Sequence, residues 1–196
     1  MHWMIKCRSK QGTDELRAAT IPAHIEHLDK YKEITWFSGP IFTDDGKSAI
    51  GSLRFIEFPD RESAQTYIDK DPYTVEGIFD EIIIKHWQPA LNQRQLDYDK
   101  KDGTQQFIVH CIDAEKSEGK RDQFRQAHRD YLVDRQEFII ARGPLRDNAS
   151  GSIVGSALLL DVRDRAFAES LLDEEPFKKS GVYERISVER WFFGHV

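Results

Sequence analysis

The sequence predicts an α+β protein built from two tandem βαββαβ units that pack on each other as an intrachain pseudo-dimer. Three observations predict it: the chain matches itself without gaps, each half runs through the same order of hydrophobic periods, and one such unit leaves a sheet face bare. Cys111 lies 104 residues after Cys7. The same spacing carries Arg17 onto Arg121, Ala23-His24 onto Ala127-His128, Leu28 onto Leu132 and Gly39-Pro40 onto Gly143-Pro144. It also carries Gly51-Ser52 onto Gly155-Ser156, Pro72 onto Pro176, Gly77 onto Gly181 and Trp87 onto Trp191. Matches concentrated in glycine, proline, cysteine and tryptophan mark a duplicated structural unit.

Within a copy the first strand is clearest at Phe107, Val109 and Cys111, which alternate with Ile108, His110 and Ile112 and make a strand apolar on both faces. A helix follows, with Leu16, Thr20, Ala23, His27, Leu28 and Tyr31 at helical spacing, repeated by Phe124, His128, Tyr131 and Leu132. Gly39-Pro40 and Gly143-Pro144 fall in the second strand, where they bend it or admit another chain. Gly51-Ser52 and Gly155-Ser156 open the third. Asp60 and Asp164 stand as N-caps of a shorter second helix, whose stripe is Ala64, Tyr67 and Ile68, or Phe167, Ala168, Leu171 and Leu172. The last strand ends at Trp87 or Trp191, read as core or interface anchors. The domains are 1–90 and 106–196. The polar, aperiodic segment 91–105 reads as an exposed linker. A βαββαβ unit with both helices on one face must cover the other. The second copy supplies that cover, two sheets face to face with helices outside, and a homodimer is equally allowed.

A length of 196 residues accommodates two domains that each bury a workable core. A formal charge of -6 from well-mixed acids and bases argues against nucleic acid or an anionic membrane as partner. No apolar run reaches the roughly 20 residues that span a bilayer, and the first ten residues lack a secretory apolar core, so a cytoplasmic location is expected. Two cysteines exclude a disulfide scaffold and a multi-cysteine zinc site.

Candidate chemistry lies on the first helix and just after the second. Positions 17, 21, 24 and 28 share a stripe, occupied by Arg17, Ile21, His24 and Leu28 in copy one and by Arg121, Arg125, His128 and Leu132 in copy two. Guanidinium groups beside an imidazole make an anion or carboxylate clamp; the alternative is a histidine tied into a helix and sheet junction. Asp71-Pro72-Tyr73 and Glu175-Pro176-Phe177 keep an acid in both copies. A carboxylate on a histidine ring nitrogen fixes its tautomer and raises its basicity, while in a structural role the same acid caps a turn that Gly77 or Gly181 closes at positive φ. Ser52 and Ser156 offer hydroxyl donors to a ligand. His24-x-x-His27 has ligand spacing, but Tyr131 replaces the second histidine in copy two, so no metal is expected.

In order and spacing, Arg, His, Gly-Pro, Gly-Ser, Asp-Pro-Tyr and Gly resemble the YciI-like, or YCII-related, family over nearly all of both copies. The resemblance implies a ferredoxin-like fold that forms dimeric α+β barrels, and a His and Asp pair as active site, in a family that includes a dehydrochlorinase acting on a chlorinated hydroxyquinol. His24 and Asp71 match the pair in copy one; in copy two His128 matches and Glu175 departs by one methylene. The family's Arg-Pro-x-His is split between Ile21-Pro22-Ala23-His24 and Arg125-Gln126-Ala127-His128. The expected function is a cofactor-independent elimination or isomerisation on a small polar or aromatic anion. His24, Asp71, His128 and Glu175 form the acid-base pairs, and Arg17, Ser52, Tyr73, Arg121, Arg125 and Ser156 hold the substrate. The alternative is a non-catalytic ligand-binding or assembly module; monooxygenase chemistry rests on fold analogy alone.

Overall fold

The computed structural model describes all 196 residues. The first copy comprises β1 (His2–Ser9), α1 (Asp14–Asp29), β2 (Thr35–Phe42), β3 (Ala49–Glu57), α2 (Arg61–Asp69), α3 (Pro72–Val75) and β4 (Phe79–Trp87). The second repeats it as β5 (Gln105–Asp113), α4 (Glu118–Val133), β6 (Ile139–Arg146), β7 (Ile153–Val162), α5 (Arg165–Asp173), α6 (Pro176–Lys179) and β8 (Tyr183–Trp191). Asp60 and Asp164 cap α2 and α5, accepting hydrogen bonds from Ser63 N at 2.8 Å and Phe167 N at 2.7 Å. Gly77 and Gly181 take φ of +68° and +69°, a region where a Cβ is strained, and end the turns after α3 and α6.

The two antiparallel sheets join edge to edge into one closed barrel, in the order β1-β3-β2-β8-β5-β7-β6-β4. Closure is more specific than two stacked sheets, because it leaves no unpaired edge. It rests on two short seams, Ile41 opposite Trp191 and Trp87 opposite Leu145. Past each seam the chain continues as an edge ribbon: Phe192 N donates to Pro40 O, and Gln88 N to Pro144 O, both at 3.1 Å. The matched glycines make this approach possible. A Cβ on Gly39 would lie 1.9 Å from Phe192 O, and one on Gly143 2.0 Å from Gln88 O.

Strand alternation divides the apolar residues into three cores. Met4, Phe37, Leu53, Phe55, Trp87, Ile108, Leu159 and Trp191 fill the barrel. Trp3, Ile5, Cys7, Ile56, Tyr67 and Ile68 pack under the helices of copy one, and Phe107, Val109, Cys111, Leu158, Leu160 and Leu172 under those of copy two. Each barrel tryptophan buries about 200 Å² and contributes roughly 5 kcal/mol before chain entropy is subtracted. Inside the barrel, Lys6 of the first copy is ion-paired with Glu189 of the second.

Two sequence expectations are corrected. The buried face of α1 is Arg17, Thr20, His24, His27 and Leu28, whereas Leu16, Ile21 and Ala23 face outward. The hydrophobic stripe misleads here because this helix covers a polar network. The segment between the copies, expected as an exposed linker, is anchored at one buried residue, Gln95. Ser38 N donates to the Gln95 side chain at 3.0 Å, and Gln95 Nε2 donates to Gly194 O at 2.8 Å, so a buried glutamine ties the segment to β2 and to the final residues.

Candidate functional site

Both copies place a histidine of the long helix against an acid that caps the next short helix, in the layer between helices and sheet. In copy one a guanidinium can only donate, so Arg54 Nη2, 2.7 Å from His24 Nε2, fixes that nitrogen as an acceptor. The ring proton is then on Nδ1 and is donated to Asp71 Oδ1 at 2.7 Å. The same oxygen accepts from Tyr73 N at 2.9 Å, which caps α3. Tyr73 stacks on the imidazole at 3.9 Å between centroids, and Arg17 lies over the tyrosine ring while donating to Ser9 Oγ at 2.9 Å and Gly51 O at 3.1 Å. Ser52 Oγ accepts from Arg54 Nη1 at 3.4 Å.

This set is closed to solvent: His24 is 7% exposed, Arg54 2% and Asp71 0%. Burial pushes the His24 pKa down to about 4, against the opposing Asp71 hydrogen bond. Burial alone would raise Asp71, but the His24 hydrogen bond and the Arg54 charge outweigh it and hold the carboxyl below its usual range. Both ring nitrogens of His24 are occupied, which leaves it no lone pair to offer a substrate.

Copy two differs at the decisive position. Its counterpart of Arg54 is Leu158, so His128 donates Nδ1–H to Glu175 Oε1 at 2.5 Å and keeps Nε2 without a protein partner. Phe177 stacks on this ring at 3.9 Å. The longer glutamate divides its work, with Oε1 on the histidine and Oε2 accepting from Lys178 N at 3.0 Å. Arg121 is held in a fork by Asp113, Nε to Oδ2 at 2.7 Å and Nη2 to Oδ1 at 2.9 Å. Burial alone would lower the Arg121 pKa, but the Asp113 carboxylate more than offsets it. Ser156 Oγ accepts from Arg121 Nη2 at 3.0 Å and from Tyr183 Oη at 3.1 Å, which leaves the serine proton free to be donated.

His128 lines a cleft of about 590 Å³ between α4 and the strands β6 and β7. Its floor includes Leu132, Leu158 and Phe177, and five arginines surround it: Arg121, Arg125, Arg129, Arg142 and Arg146. Arg121, Arg125, His128 and Ser156 of this cleft are among the residues expected from sequence, whereas Arg129, Arg142 and Arg146 are not, nor is Tyr183 behind Ser156 or Arg54 in copy one. The corresponding copy-one positions Ile21, Ile25, Ser38 and Phe42 carry no charge at all. Of the residues expected to hold substrate in copy one, Arg17 donates to Ser9 and Gly51, Ser52 accepts from Arg54, and Tyr73 stacks on His24, all three buried.

The buried histidines predict a pH dependence of stability. His110, inside the barrel, is likewise pushed down to about 4, chiefly by burial and then by Lys6. The folded state holds His24 and His110 neutral while the unfolded chain protonates them near 6.5, so the unfolded state binds more protons in that interval. Stability therefore falls as pH drops from about 6.5 to about 4, by about 1.4 kcal/mol per pH unit for each histidine. Urea unfolding at pH 7, 6 and 5 measures this; a midpoint that stays constant over the interval contradicts it.

No helix is long and apolar enough to cross a membrane. Among curated proteins the chain is similar to Protein YciI of Escherichia coli O6:H1, 28% identical over 100 residues, covering 46% of this chain and all of that protein. Among solved structures it is similar to the 5-chloro-2-hydroxyhydroquinone dehydrochlorinase of Burkholderia phenoliruptrix AC1100, 23% identical with a TM-score of 0.43 over 45% of this chain and 94% of that one. A mutant chlorite dismutase from Candidatus Nitrospira defluvii matches 98% of this chain and 91% of its own at a TM-score of 0.66 and 8% identity, a likeness of fold. The family model described as YCII-related domain matches twice, at residues 1–88 and 105–192, and the chain belongs to that family.

Proposed function

We propose that the chain binds a small organic anion in the cleft of its second copy and acts on it by acid-base chemistry at His128, while the equivalent position in the first copy is structural. The observation that carries this reading is the unpartnered Nε2 of His128, held by Glu175 and facing a cleft surrounded by arginines. In this reading Nε2 takes a proton from the substrate and returns it at another position or to a leaving group, as in an isomerisation or elimination. Glu175 keeps the proton on Nδ1 and stabilises the imidazolium that forms. The Ser156 hydroxyl, itself held by Arg121, donates to a carboxylate or developing enolate oxygen. The floor of Leu158, Leu132 and Phe177 suits an aromatic or other apolar body.

The first test is binding stoichiometry. Calorimetric titration with benzoate and hydroxybenzoates gives one site per chain. Leu158→Arg, which installs in copy two the residue that closes copy one, abolishes that binding while the fold is retained. Two equivalent sites per chain, or undiminished binding in the Leu158→Arg protein, contradicts the assignment. Binding without turnover of any compound that fits leaves the cleft a ligand-binding module and removes the catalytic part.

A further inference from the structure

We propose that the part of the cleft between Arg129 and Arg142 is a subsite for a tetrahedral dianion, the phosphate of a small phosphate monoester. The inference deepens the copy-two assignment and rests on that cleft being the ligand site. Its basis is an uneven distribution of counter-charges. Arg121 is neutralised by Asp113, and Arg125 is ion-paired with Asp122. Arg129 and Arg142 have no acidic partner, and Arg146 donates only to neutral acceptors, Gln88 Oε1 at 3.0 Å and Gly151 O at 2.8 Å. Three uncompensated guanidinium groups thus share one cleft in a chain whose net charge is -6.

The cost of this arrangement falls on Arg142, since Arg129 is exposed and Arg146 is hydrogen-bonded. Arg142 is half-buried, and its Nε is sealed from solvent without a hydrogen-bond partner. Burial, with the nearby Arg129 charge added to it, holds the Arg142 pKa below its ordinary value. The fold does not require them, since the same positions in copy one are Ile25 and Ser38. A doubly charged tetrahedral group offers acceptor oxygens to two guanidinium groups at once, which one carboxylate does only in part. Arg142 and Arg146 are four residues apart on β6, about 13 Å at the rise of a strand. Arg146 therefore reads the far end of the ligand.

The test uses the full chain and inorganic phosphate, followed by calorimetry or chemical-shift titration, with acetate and chloride at equal ionic strength as comparisons. Phosphate binds at least tenfold more tightly than acetate, Arg142→Gln and Arg129→Gln each weaken it roughly tenfold or more, and Arg163→Gln, an exposed arginine away from the cleft, leaves it unchanged. Equal affinity for phosphate and acetate, or a phosphate affinity indifferent to Arg129 and Arg142, overturns the subsite. Should benzoate still bind and respond to Leu158→Arg, the assignment of the cleft survives that failure. Phosphate binding through these arginines without such a response keeps the subsite and discards the acid-base reading.

Discussion

Replacing Asp71 with alanine lowers the folding free energy by about 3–5 kcal/mol, the range for removing one partner of a buried charge pair. The carboxylate is the negative end of a buried chain in which Arg54 donates to His24 and His24 donates to Asp71. Without it the Arg54 guanidinium remains fully buried with no opposing charge, and α3 loses its cap, which by itself is worth about 1 kcal/mol. Arg54→Leu in the same chain removes the stranded cation and copies what the second repeat does at Leu158. The double variant therefore recovers most of the loss apart from the cap, a strong coupling that a double-mutant cycle by urea unfolding measures. Additive losses contradict the charge relay. Glu175→Ala in the second copy costs less, because no buried guanidinium depends on it.

The second large effect is kinetic. On a substrate of the copy-two cleft, His128→Ala lowers kcat by about 10²–10⁴-fold, the range for loss of a positioned acid-base group, and costs less stability than His24→Ala because no buried guanidinium depends on the His128 ring. His24→Ala does the opposite: kcat stays within a few-fold of the parent, and the unfolding midpoint drops because Arg54 loses its acceptor. Steady-state kinetics beside urea unfolding for the two alanine variants separate the roles. An unchanged kcat in His128→Ala, or a large loss in His24→Ala, reverses the assignment of the two copies.

The architecture was legible because duplication left its mark on the residues least free to change. Gly39 and Gly143 are retained where a carbonyl oxygen passes within 2.0 Å of a would-be Cβ, and Trp87 and Trp191 where the two halves meet. Barrel closure was implied by the family resemblance rather than by any local pattern, since the register across the seams involves residues far apart in sequence. The histidine and acid pairs were also legible, as identities at a constant spacing. What identity could not reveal was difference. Arg54 stands in an apolar strand between Leu53 and Phe55, and its counterpart Leu158 shares nothing with it, so no repeated identity marks the position. Arg129, Arg142 and Arg146 were missed for the same reason, their counterparts being Ile25, Ser38 and Phe42. The outward Leu16 and Ile21 misled in the other direction, because the buried side of α1 carries the polar residues that the site needs.

The central claim is that one of two homologous histidines is locked and the other is free. Long-range ¹⁵N NMR of the imidazole rings, recorded from pH 5 to 8 with and without benzoate, tests it most directly. The expected result is a His24 ring that stays neutral and protonated on Nδ1 throughout and ignores the ligand, while the His128 Nε2 resonance moves on adding it. A His24 that titrates near 6.5 and responds to benzoate, beside a silent His128, would contradict the account.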